Sequence, residues 1–212
     1  MWATPREMRT TTMREAIIDG CLVRVLKDDI TTLDIDAFVF NARPDLVLGA
    51  GFGTAIALRG GPSIQAELKT LAPLDVGQAV VTSGGKLKAK HIIHVVGPRF
   101  QEEDLERKLA EAVRSALGAA EARAIARLAL PPLGVGFYGV PLDVCARVTV
   151  SELRRHLAQG SLLREVIICV RDTHEIAPFE RDLRAAAALQ GDTQGRTSDI
   201  GLRTSDGTQE MP

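Results

Sequence analysis

Six short runs, CLVRVL, DAFVFN, QAVVTS, HIIHVV, ARLALP and EVIICVR, punctuate the chain, most of them set apart by stretches long enough to hold a helix. They are apolar at nearly every position, the pattern of strands buried on both faces. A sheet of such strands needs cover on each side, and the intervening segments supply it. Residues 54–70 read as a helix. Residues 102–122 carry Leu105, Leu109, Val113 and Leu117 at intervals of four with charge on the other faces, which predicts an amphipathic helix. A further helix runs from 141 to about 158 and closes near Gly160, and a last one ends in DLRAAAAL. The order predicts an α/β fold, a mixed or parallel sheet with helices on both faces, and no internal repeat is visible.

The folded unit spans 15–189. Residues 1–14 read as a flexible lead-in, and 190–212, QGDTQGRTSDIGLRTSDGTQEMP, offer so little to bury that they read as a disordered tail. With 45% hydrophobic residues in 212, one domain of this size buries roughly 70% of its unfolded surface and needs no disulfide. Cys21, Cys145 and Cys169 are an odd number set among apolar neighbours, which suits reduced, buried thiols in a cytoplasmic protein. The net charge of -1 gives no electrostatic reason to expect nucleic acid or an anionic membrane as partner. No apolar run reaches the ~18 residues of a membrane-spanning helix, and MWATPREMRTTTM lacks the apolar core of a secretory signal. The cytosol is therefore the expected compartment, while oligomeric state leaves no trace in the sequence.

Within LALPPLGVGFYGVPLD, residues 128–143, Gly134, Gly136 and Gly139 match the dinucleotide fingerprint GxGxxG. The surroundings disagree with a nicotinamide site. The fingerprint lies late in the chain, the acidic residue due about 20 positions on is missing from the next strand, and Pro131, Pro132 and Pro141 stiffen the turn. A second glycine turn, LGAGFGTAIALRGGP, places Gly49, Gly51 and Gly53 at another helix start. A glycine lets the main chain approach a ligand closely, and a helix start aims free N–H groups and positive dipole at an anion. Either turn alone reads equally well as a tight connection. Two at the carboxyl ends of strands can grip a diphosphate from both sides.

On these blocks the chain resembles the macrodomains, α/β/α modules that bind ADP-ribose, from about residue 22 to 183. DDITTLDIDAFVFNARPDLVLGAGFGTAI is similar to that family's GDIT, VDAIVNAAN and first glycine loop; GQAVVTSGGKLKAKHIIHVVGPRF is similar to its GEAVIT and VIHTVGP strands; and LPPLGVGFYGVPLDVCARV to its second loop, PAISTGIYGFP. The resemblance implies a three-layer α/β/α fold around a mixed, mostly parallel sheet, with free or protein-linked ADP-ribose in a cleft and no separate cofactor or metal. It implies that Asp29 accepts from the adenine amino group, with the Ile30 N–H near the ring. Gly49, Ala50, Gly51, Phe52 and Gly53 would form the first loop, and Gly134, Val135, Gly136, Phe137 and Tyr138 the second, mostly through main-chain donors. Tyr138 reads either as packing beside the distal ribose or as plain core. Arg171 reads either as a plane stacked on adenine or as a solvated strand end.

Hydrolytic members carry an asparagine where this chain has Arg43, and some subgroups an aspartate where it has Gly53; another family asparagine is replaced by Phe40, beside the retained Asn41. An arginine cannot take a proton from water, although it can bind an anion at the far end of the ligand. Three readings follow: a binder of ADP-ribose or a derivative; a hydrolase of ADP-ribosyl or O-acetyl-ADP-ribose substrates; or a relic whose cleft Phe40, Arg43 and Phe52 block. His91 and His94 in HIIH fall on opposite faces of a strand and do not share a metal. Cys145 reads as an inert thiol, and the Glu102, Glu103 and Asp104 cluster as a helix-dipole match.

Overall fold

The computed structural model describes residues 14–49, 51–99, 101–136 and 138–198, the stretch 190–198 as backbone only. Seven strands form one sheet: β1 (Glu15–Ile18), β2 (Cys21–Lys27), β3 (Ala37–Asn41), β4 (Ala79–Ser83), β5 (His91–Val95), β6 (Arg127–Leu130) and β7 (Glu165–Val170), in the order β1-β2-β7-β6-β3-β5-β4. The five central strands run parallel, and β1 and β4 pair antiparallel at the two edges. The six apolar runs are all strands. The added strand, β1, is a hairpin partner of β2 through Asp19-Gly20, both at positive φ, and its alternation of exposed and buried positions is that of a half-covered edge.

Five helices cover the sheet: α1 (Phe52–Gly60), α2 (Pro62–Leu71), α3 (Leu105–Ala122), α4 (Leu142–Leu157) and α5 (Ile176–Ser198). The single helix expected over 54–70 is two, because Pro62 excludes the helical conformation from the residue before it, so the chain turns at Gly61 and starts again. The helix expected from 102 starts at Leu105, with Asp104 as its N-cap. The tail expected from 190 begins inside α5, which runs to Ser198; the remainder of that tail, 199–212, and the N-terminal residues 1–13 lie outside the described residues. No helix among the described residues is long and apolar enough to cross a membrane.

The strand faces divide the core in two. Ala37, Val39, Ile93, Val95, Leu128 and Val166 pack under α3, α4 and α5. Phe38, Phe40, Ile92, Ala129, Ile167 and Cys169 pack under α1 and α2, through Ile56, Ile64 and Leu68. The result is the expected three-layer arrangement with α1 and α2 alone on one face. All three cysteines are free and buried, and burial pushes the Cys145 and Cys169 thiols up to about 12.

At the amino ends of the strands a polar band ties the sheet together. Asp36 accepts from Lys90 Nζ at 2.8 Å and from the backbone N–H groups of Ala126 and Arg127 at 3.2 and 3.0 Å. Arg127 in turn donates to Glu165, which also pairs with Arg24, so the band reaches β2. The Lys90 hydrogen bond, opposed by partial burial and helped by the two N–H donors, holds the Asp36 carboxyl below its ordinary range. That contribution to stability is complete above the carboxyl's unfolded value, ~4, and is lost as pH falls through the lower folded value. Asp36→Ala should cost roughly 1–3 kcal/mol at neutral pH, since it strands donors that are partly buried. Urea unfolding of both proteins at neutral pH and at pH ~3 checks this: the gap between them should shrink on acidification.

Candidate functional site

Adjacent strands β3 and β6 lie side by side at the centre of the sheet, yet the chain leaves them in opposite directions. From β3 it passes through α1 and α2 to β4 and β5 on one side, and from β6 through α4 to β7 on the other. Such a divergence leaves a crevice beyond the carboxyl ends of the strands, where ligands of open α/β sheets settle. The two glycine turns are the loops that flank it.

The first loop is rigidly held. Leu46 N–H donates to the Arg43 carbonyl at 2.9 Å, Val47 N–H to Asp45 Oδ1 at 3.1 Å, and Gln65 from α2 accepts from Leu48 N–H at 2.8 Å and donates to the Leu46 carbonyl at 3.2 Å. Gly51 is the N-cap of α1 at φ 53°, ψ -122°, a region closed to side chains, and no side-chain oxygen caps the first turn. Gly49 and Gly51 are exposed, while Gly53 is buried. In the second loop Gly134 (φ 75°) accepts from Val140 N–H and Gly136 (φ 90°) from Gly139 N–H, both at 3.0 Å, which shapes a tight double turn. A Cβ on Gly134 would lie 2.5 Å from Val140 Cγ2, whereas one on Gly136 would meet open space. Val135 is half-buried against the core. Ala50 and Phe137 lie outside the described residues.

The other expected residues line the same edge of the sheet. Asp29 follows β2, N-caps a 3₁₀ turn (Ile30–Thr32) and accepts from the backbone N–H of Thr31 at 3.0 Å and from its hydroxyl at 2.7 Å. Arg59, from the last turn of α1, donates to Asp29 and to the Thr31 hydroxyl. Partial burial pushes the Asp29 carboxyl up, but the Thr31 and Arg59 hydrogen bonds and the Arg59 charge outweigh it and hold the group below its ordinary range. Ile30 is buried behind it. Arg171 follows β7, the strand beside β2, exposed and with its N–H fixed by Glu175 Oε2 at 2.8 Å.

Asn41 ends β3 and accepts from Gly97 N–H at 3.0 Å, tying β3 to the chain after β5. Arg43 is exposed and paired with Asp45 at 2.5 Å. Tyr138 is half-buried; burial raises its phenol, the nearby positive charges of Arg99 and Arg43 oppose this and the negative charge of Asp45 adds to it, so the hydroxyl keeps its proton at neutral pH. Tyr138 of the second loop thus lies close to Arg43 and Asp45 after β3 and to Arg99 after β5, so the two loops and these strand ends come together.

Phe40 packs beneath the first loop. It is 9% exposed, its ring 5.5 Å from Phe52 and edge-on to His94 at 5.8 Å, and a Cβ on Gly53 would come within 3.3 Å of its Cζ. His94 is buried on this face, 2.8 Å from Thr82 Oγ1, and burial holds its imidazole down at about 4, hence neutral. Among the described residues no cluster of three metal-ligating side chains occurs. Sequence reasoning misses Thr31, Arg59 and Gln65: only the fold brings Arg59 to Asp29 and Gln65 to the first loop, and within DDITT nothing local gives Thr31 a role.

Residues 40–149 match the family model of the Macro domain. The chain is 37% identical to an uncharacterized protein of Saccharolobus solfataricus over 74% of this chain and 90% of that one. It is 34% identical to a macro domain-containing protein of Ralstonia nicotianae over 77% and 95%. Among solved structures, the Trypanosoma brucei macrodomain in complex with ADP-ribose superposes with a TM-score of 0.71 at 26% identity, over 75% of this chain and 68% of that one. The Oceanobacillus iheyensis macrodomain with ADP superposes with a TM-score of 0.78 at 22% identity, over 82% and 96%.

Gly134→Ala, which meets both positive φ and the Val140 methyl, should lower stability by roughly 1–3 kcal/mol. Gly136→Ala, with only the backbone term, should cost about 1 kcal/mol. Thermal unfolding of the two variants checks the order, and adding Val140→Ala to the first should recover part of its loss.

Proposed function

This chain belongs to the macrodomain family, and from that premise we propose that it binds ADP-ribose, free or linked to protein, in the crevice between its two glycine loops. One observation carries the reading: the two glycine turns, one of them the uncapped start of α1, flank the divergence of β3 and β6, with an ionised carboxylate, Asp29, farther along the same edge. The uncapped start of α1 and the Gly134–Gly136 turn suit the two phosphates. Asp29, acceptor-only, suits an exocyclic adenine amine. Arg171 is at hand for the base and Tyr138 for the distal ribose. The ligand needs no cofactor or metal beside it, and an ADP-ribosylated protein is the partner of this reading. Buried free thiols fit the cytosol.

Binding without hydrolysis is favoured over an ADP-ribosyl or O-acetyl-ADP-ribose hydrolase. Gly53 carries no carboxylate, and Phe40 packs against the space one would need. Arg43 offers no acceptor, and Asp45 is engaged by Arg43. Against the blocked-cleft alternative, Phe40 packs beneath the first loop and Arg43 pairs with Asp45 at the surface, while Phe52, the third bulky residue, is half-buried against the Phe40 ring.

Calorimetry with ADP-ribose should give saturable heat, weakened about 10–100-fold in Asp29→Ala, the range for a hydrogen bond to a charged group. A mono-ADP-ribosylated protein should keep its label at the rate of a protein-free control. Absence of heat at high micromolar ADP-ribose would overturn the reading, and turnover above the control would restore the hydrolase.

A further inference from the structure

Asp29 is gripped from two elements 28 residues or more apart in sequence contact, its own 3₁₀ turn and the far end of α1. Thr31, buried, gives its hydroxyl proton to Asp29 and accepts from Arg59, while Arg59 donates to both, so the three side chains close a ring. The carboxylate and the guanidinium remain 43% and 48% exposed, so the ring faces solvent on one side. The origin of Arg59 is fixed as well. The next residue, Gly60, packs where a Cβ would lie 2.3 Å from Ile64 Cδ1, and its carbonyl accepts from Lys86 N–H at 2.9 Å.

A carboxylate has about four lone-pair directions. Two Thr31 donors occupy Oδ1, and Arg59 occupies one direction on Oδ2. We propose that Arg59 is a positioning residue for base recognition: by closing the ring with Thr31 it leaves Asp29 one outward acceptor, which selects a purine bearing an amino group over one bearing a carbonyl. The inference rests on the assignment of Asp29 to the base end under Proposed function. Its chemistry is direct. An ionised carboxylate has no proton to offer a carbonyl, and a carboxylate fixed in rotation cannot turn to evade the mismatch. Thr31 and Arg59 touch it directly, the Asp29 backbone N–H binds Asp28 Oδ1 at 2.7 Å, and from β7 the Cys169 thiol, itself on the Asp28 carbonyl at 3.4 Å and protonated through burial, lies within reach of its charge.

The test is calorimetry with ADP-ribose and with inosine diphosphate ribose, from neutral to acid pH, on the full chain and on Arg59→Met, Arg59→Lys and Thr31→Val, with thermal melts to establish folding. The wild type should prefer the adenine compound. Arg59→Met should cut that preference about tenfold, as expected for one lost charge-assisted hydrogen bond. The pH at which ADP-ribose binding fails on acidification should also rise, because Asp29 then protonates sooner. Arg59→Lys should fall between, and Thr31→Val should act in the same direction from the other side of the ring, which keeps the test decisive if the methionine variant does not fold. An unchanged base preference and acid limb in the folded variants overturns the role of Arg59 and leaves ADP-ribose binding standing. A wild type that binds neither compound overturns the functional reading, and the role of Arg59 falls with it.

Discussion

The structure turns on the parting of the chain at β3 and β6. Two neighbouring parallel strands present their carboxyl ends together, but the helices that follow lie on opposite faces of the sheet, α1 on one and α4 on the other. The connections cannot close over the gap between them without crossing. Backbone that would otherwise be satisfied inside a layer is left at an opening, and the residues that tolerate this geometry are glycines: Gly51 at the start of α1, where the dihedrals exclude a side chain, and Gly134, where Val140 also excludes one. The polar band at the opposite ends of the strands, from Lys90 through Asp36, Arg127 and Glu165 to Arg24, holds the sheet where no ligand is expected. One end of the sheet is closed by charge pairs and the other is open.

Much of this was legible from the residues because local and global preferences agree. Buried parallel strands are apolar throughout, so six of the seven strands could be read directly. β1 escaped notice although its signal was present: IIDGCLV carries the Asp-Gly pair of a two-residue hairpin, and the EAII segment before it is too short to stand out by composition. Over 54–70 the helical pattern conceals Gly61-Pro62, a breaker that outweighs it and divides α1 from α2. In the site, the loops and Asp29 were readable because they are contiguous motifs. Arg59 and Gln65 are not, because Arg59 acts on Asp29, 30 positions away, through the course of α1, and Gln65 acts on Leu48, 17 positions away, through the turn between α1 and α2.

The departures from the family pattern look independent in sequence and prove to be packed together. Phe40, at the position where the resemblance implies an asparagine, lies next to last in β3 with its ring under the first loop, beside Phe52 and His94. Gly53, standing where some relatives in the pattern carry an aspartate, is the residue that gives that ring its room. A carboxylate there would be pressed against an aromatic edge in a site where the nearby imidazole, neutral by burial, supplies no compensating charge. The two substitutions are thus one change in physical terms, from a polar floor to an apolar one. Restoring either residue alone would leave a buried polar group without a partner or a cavity beside an aromatic ring.

An apolar floor also changes what α1 can do. The helix starts at Gly51 beside β3 and ends with Arg59 on Asp29 beside β2, and β7 and β6 lie between those strands. Three strand spacings of ~4.8 Å come to about 14 Å. Nine helical residues at ~1.5 Å rise cover about 13 Å. Its length therefore matches the span from the loop that faces the crevice to the carboxylate at the far end of the edge. Ile56 is fully buried in its middle, packed in the same core as Ala129 and Cys169 of the two strands it crosses. A rigid element anchored by apolar packing at its centre carries its two ends as one body. Gly51 at one end and Arg59 near the other are thus held on one packed helix, and the tight seat of Gly60 against Ile64, with its carbonyl on the Lys86 N–H, fixes the end that carries Arg59.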